Sequence, residues 1–83
     1  MNRLPTQSVP PYEMWEATAK EFIELEMVRR RIGYKELAGM LGELGIEESP
    51  KQINRKVNRQ RFSAAFMLAC LSAMGATISV TQK

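Results

Sequence analysis

Apolar residues in the first third of the chain recur three and four positions apart, the period of a helix face. Met14, Trp15, Thr18, Ala19, Phe22, Leu25, Val28 and Ile32 fall at these steps. The spacing predicts a first helix from about Glu13, with this broad stripe turned inward. Glu13 and Glu16 lie in its first turn and Arg29, Arg30 and Arg31 in its last, the charge order that the helix dipole favours. The arginine triplet reads as capping and solvation rather than phosphate contact. Gly33 is expected to stop the helix in a left-handed conformation. A shorter second helix, "YKELAGML", runs from Tyr34 to about Leu41 with Leu37, Ala38 and Leu41 on one face. Gly42 and Gly45 break it, and Leu44 and Ile46 in the turn are expected to tuck inward.

The third helix carries the clearest start signal. Ser49 suits the N-cap, Pro50 the first helical position, and Gln52 completes a Ser-x-x-Gln capping box. Ile53 and Val57 form a narrow buried stripe. At about 100° per residue, the opposite face presents Lys51, Gln52, Arg55, Asn58 and Arg59, with Asn54 beside them. This helix should end near Asn58 or Arg59.

Ser63 caps a fourth helix, Ala64 to Met74, and Phe62 and Met67 have the spacing of a hydrophobic staple. "FSAAFMLACLSAMG" is apolar nearly all round, so it is expected at the centre of the core or under a second molecule. After Gly75, "TISVT" alternates and is β-branched, which predicts a short strand that needs a partner, for instance the same segment of another subunit. Residues 1–11 hold three of the four prolines and no apolar period. The chain therefore divides into a flexible arm (1–11), a helical domain (12–76) and a terminal strand or tail (77–83).

Eighty-three residues allow one core, and 45% hydrophobic with 25% charged residues is the balance of a soluble globular chain. The longest apolar run falls far short of the roughly 20 residues of a membrane span, and the opening sequence lacks the apolar stretch of a secretory leader. One cysteine and no histidine exclude a disulfide framework and argue against a zinc site. A cytoplasmic protein with no metal and no cofactor is expected. Catalysis and a small-molecule substrate find no support either. There is no His or Asp, and Gly39, Gly42 and Gly45 follow no strand that would make them a phosphate loop. Glu47 and Glu48 read as favourable charge at the start of the third helix, and Cys70 as a buried, inert thiol.

Charge changes the picture more than composition does. Residues 1–48 hold six Lys/Arg and all nine Glu; residues 49–83 hold the other six Lys/Arg and no acid. Such segregation points to a polyanionic partner. Within "KQINRKVNRQRF" (51–62), basic and amide side chains alternate. Lys and Arg neutralise phosphates, while Arg, Asn and Gln match guanine and adenine edges. Lys51, Gln52 and Arg55 occupy the first turns, from which base contacts come; Asn58, Arg59 and Arg61 suit backbone phosphates. Several alternatives stay open. The two halves could pair with each other, or the polar face could serve only solubility. The chain could also be a protein-interaction module that uses its fourth helix and terminal strand. Single-stranded RNA binding is weaker, because the aromatic residues read as core.

"YKELAGML…INRKVNRQRFSAAFMLACLSAMGAT" resembles the phage Cro/repressor type of helix-turn-helix domain. Leu37 and Ala38 match its "LA" pair, Ile53 and Val57 the apolar positions of its recognition helix, Asn58 to Arg61 its basic turn, and Met74-Gly75 its closing pair. The chain is also similar, from Trp15 to Gly75, to a small bacterial domain family of unknown function. The turn from Ala38 to Gly45 is longer than in the Cro/repressor type, and Tyr34 replaces its usual phosphate-binding Gln. The resemblance implies an all-α, four-helix domain that binds double-stranded DNA as a homodimer, a nucleoid-associated transcription regulator. Lys51, Gln52, Asn54 and Arg55 would enter the major groove. Arg59, Arg61 and Asn58 would grip phosphate, joined by Tyr34 and Lys35 at the start of the second helix.

Overall fold

In the computed structural model, which describes residues 11–82, four helices follow one another: α1 (Glu13–Arg30), α2 (Tyr34–Glu43), α3 (Pro50–Arg59) and α4 (Ala64–Ala73). The expected arm lies outside the described residues, except that Pro11 and Tyr12 form the turn into α1. Helices α1 and α2 each pack on both α3 and α4. Every helix gives the core a pair of residues four apart: Ile23 and Met27, Leu37 and Leu41, Ile53 and Val57, Phe66 and Cys70. Leu71 and Met74 complete it. Residues at that spacing lie one above the other on a helix, so each pair makes a short ridge.

Three helices end in the same way. Ile32 N–H bonds back to the Met27 carbonyl, Ile46 N–H to Leu41 and Ala76 N–H to Leu71, at 2.8–3.0 Å. Each closure is of the Schellman type and returns an apolar residue to the core just past the helix. Such a turn demands one left-handed residue. Gly45 and Gly75 supply it at φ 82°, but at the end of α1 it is Arg31, at φ 57°. The expectation that Gly33 would provide this stop is therefore corrected. Gly33 sits in extended backbone at φ −107° as the N-cap of α2. Ile32 must reach Met27, and only the residue immediately before Ile32 can make that turn.

The inward stripe predicted for α1 is also corrected. Met14, Trp15, Phe22, Leu25 and Val28 face outward, while Ile23 and Met27 on the opposite side are buried. The helix is apolar on two faces, and the Ile32–Met27 closure selects the second. Leu44 is half-exposed, so of the turn residues only Ile46 tucks in. Helix α2 runs through Gly42 to Glu43 rather than ending at Leu41. Helix α4 buries Phe66, Cys70 and Leu71 but leaves Leu68 half-exposed. No strand forms among the described residues. Thr77 to Gln82 carries no regular structure, because a single β-branched segment has no edge to pair with.

Candidate nucleic-acid interface

The capping box at the start of α3 forms as its sequence dictates. Ser49 Oγ accepts the Gln52 N–H at 3.0 Å, and Ser49 N–H donates to Gln52 Oε1 at 2.8 Å. Ile53 and Val57 are fully buried, which pins the opposite face toward solvent. Lys51, Gln52, Asn54, Arg55, Asn58 and Arg59 are all exposed there. One continuous surface therefore holds six of the nine residues singled out from the sequence.

The cations and the amides on this surface are not equivalent. Lys51, Arg55 and Arg59 make no ion pair among the described residues. The Gln52 carbonyl is occupied by the capping box, leaving its NH2 group outward. Asn58 Nδ2 donates to the Asn54 backbone carbonyl at 2.9 Å and to Asn54 Oδ1, so these two amides are tied to each other. Three unneutralised cations dominate the face, and the helix contributes no acid to oppose them.

The other three residues lie apart. Arg61 is beyond the left-handed Gln60 (φ 68°) that ends α3, and its Nε stands 3.5 Å from Glu16 Oε2 on α1. Arg61 is solvated in this pair while Glu16 is largely covered, so the guanidinium keeps an open side toward solvent. Tyr34 is half-buried against the core, whereas Lys35 beside it is exposed.

Lys56 is half-buried and turned away from the cationic face. Its Nζ pairs with Glu48 just upstream of α3 and lies 5.1 Å from the centroid of the Phe66 ring. Both contacts join α3 to its surroundings, and neither follows a helical spacing that a sequence pattern reveals. The Glu16–Arg61 pair is equally invisible, because it bridges the start of α1 and the α3–α4 link. At the end of α1, Glu26 is buried and accepts from Arg29 at 3.2 Å and Arg30 at 2.9 Å. Two of the triplet's three charges are thereby engaged in ion pairs, where the sequence predicts capping and solvation, and Arg31 stands at the C-cap.

Two further ionisable groups, Cys70 and Glu36, have structural duties. Burial pushes the Cys70 thiol up to about 12, with Glu48 adding to the shift and Lys56 opposing it. A thiol so held is no nucleophile at neutral pH. The backbone N–H of Gly33, followed by that of Glu36 itself, lowers the Glu36 carboxyl, whose Oε1 accepts the Gly33 N–H at 2.8 Å. Glu36 thus satisfies a free donor at the start of α2.

Residues 15–79 match the family described as Domain of unknown function (DUF6471). The chain belongs to this family. No curated protein and no solved structure matches it. The DUF6471 match takes in most of α1, all of α2, α3 and α4, and the start of the tail, so the exposed face of α3 lies wholly inside it. The same stretch contains the Trp15–Gly75 segment on which the resemblance to a bacterial family of unknown function rests. Among the described residues of this DUF6471 chain, no helix is long and apolar enough to cross a membrane.

Proposed function

We propose that this DUF6471 domain binds double-stranded DNA, with α2 and α3 acting as a helix-turn-helix of the Cro/repressor kind and α3 lying in the major groove. One observation carries the reading. Lys51, Arg55 and Arg59 share the solvent face of a helix that carries no acid, and they make no ion pair among the described residues. Glu13 and Glu16 of α1 nevertheless line the groove beside Arg59. A solvated helix face ordinarily mixes both signs of charge. Lys51 and Arg55, in the first two turns, reach guanine edges, with the free NH2 of Gln52 beside them. Arg59 and Lys35 contact phosphate, and Arg61 joins them by leaving Glu16. Because Asn54 and Asn58 are bonded to each other, base reading falls mainly to the cations. The module then acts as a transcription regulator at the nucleoid.

Fluorescence anisotropy with a labelled duplex across a salt series tests this. Affinity should fall with salt at a log–log slope of roughly −0.9 per phosphate neutralised. A single strand of equal length should bind more weakly. No duplex binding at low salt, or a preference for single strands, refutes the proposal.

A second reading has its own support. The apolar outer face of α1 is the kind of surface that a protein partner covers, so the chain could instead be an interaction module without nucleic-acid affinity. It predicts that substitutions on α3 leave every binding property unchanged.

A further inference from the structure

Five of the ten large apolar side chains exposed on the described chain stand on α1: Met14, Trp15, Phe22, Leu25 and Val28. Each is between 56 and 71% exposed. At about 100° per residue they occupy one arc, opposite the buried Ile23 and Met27. Thr18 lies within that arc, and its hydroxyl already donates to the Met14 carbonyl at 3.0 Å. Trp15, Thr18, Phe22 and Leu25 alternate in steps of three and four, the repeat that seams two helices together.

We infer that this face binds a second copy of the same chain through an antiparallel α1–α1 contact. The inference does not depend on DNA binding. Three observations select this occupant. The first is area. The five side chains leave on the order of 600 Å² open, at the upper end for an isolated patch on a monomer. Two copies together would bury roughly 1,200 Å², the lower bound of a stable specific interface.

The second is charge. Helix α1 is acidic in its first turn (Glu13, Glu16) and basic in its last (Arg29, Arg30). Of these charges only Arg29 borders the apolar arc, the others lying off it, and an antiparallel copy opposes the two helix dipoles.

The third is register. Trp15, Phe22 and Arg29 recur every seven residues along one edge of the face. With Phe22 near the two-fold axis, Trp15 of one protomer stands against Arg29 of its partner, a cation–π pairing at both ends. Glu21, which lies within the arc between Val28 and Met14, then meets its own copy inside the seam. That is the one unfavourable contact in the seam.

The intact chain should sediment as a dimer with a Kd in the micromolar range. Phe22→Lys should weaken association by at least about a hundredfold, since it puts two charges at the axis, where interface energy concentrates. Its helical circular dichroism should stay unchanged, because Phe22 takes no part in the core. Leu68→Lys, on the exposed side of α4, should remain a dimer. In a Cys70→Ala background, Glu21→Cys should form an intermolecular disulfide on mild oxidation and Met14→Cys should not, because residue 14 lies far from its own copy in an antiparallel pair. A wild-type chain that stays monomeric at a hundred times the expected Kd overturns the inference. So does a Phe22→Lys dimer, or disulfides at both positions, which would mean a parallel pair.

Discussion

Two cations on the same helix, three residues apart, should fail in opposite ways. Lys56→Ala removes the partner of Glu48, whose side chain is 13% exposed, together with the contact over Phe66. A nearly buried carboxylate left unpaired, plus a lost cation–π contact, amounts to about 1–3 kcal/mol of stability. For a domain of this size each kcal/mol lowers Tm by about 4–8 °C. The variant should melt well below the parent yet stay folded at room temperature. Its DNA affinity should keep the parent's salt dependence, because Lys56 does not reach the outer face.

Arg59→Ala should do the reverse. The side chain makes no ion pair among the described residues, and an exposed substitution of this kind changes stability by about 0.5 kcal/mol or less. If Arg59, Lys35 and Arg61 each neutralise one phosphate, each bound copy loses about 40-fold in affinity between 50 and 200 mM salt. With two contacts the loss is about 12-fold. Anisotropy titrations at four salt concentrations resolve that difference, and thermal melts in the same buffers report the stability side. Two results would refute the reasoning. One is a slope that flattens equally in both variants, which means that the salt response is bulk charge. The other is an Arg59→Ala variant with the parent's slope and a depressed Tm.

Two other predictions concern the fold. Cys70 should make stability fall as pH rises above about 9. Its thiol ionises there in the unfolded chain but only near 12 when folded, so the unfolded state holds fewer protons across that window. The slope attributable to it is about 1.4 kcal/mol per pH unit. Urea unfolding at pH 8–10.5 should show this term in the parent and not in Cys70→Ala; equal slopes would refute it. Gly42 and Gly45 should respond oppositely to alanine, although neither would bring the new methyl within 4 Å of a neighbour. Gly42→Ala, inside α2, should stabilise by about 0.5–1 kcal/mol. Gly45→Ala, at φ 82°, should destabilise by about 1–2 kcal/mol. Denaturant melts decide, and a shared sign would contradict the turn geometry.

The candidate surface was legible because its determinants are local. The Ser49–Gln52 capping box and the Ile53/Val57 pair lie within a few residues of one another. They orient α3 without help from the rest of the chain, and the basic face follows. The end of α4 was legible for the same reason, since Gly75 tolerates a left-handed turn, whereas α2 runs two residues past the expected Leu41. The closure at Arg31 was not, because there the pull of Ile32 toward Met27 overrides the preference of arginine.

Sequence by itself therefore determined the four helices, the outward cationic surface and the inert thiol, since short-range backbone chemistry and helical period suffice for each. Tertiary structure alone decided which of the two apolar faces of α1 turns inward. It also assigned Lys56 to Glu48, Arg61 to Glu16, and Arg29 and Arg30 to Glu26. Period reports that a face is apolar but not what covers it. An ion pair across elements depends on how the helices are set against each other, which no single segment specifies.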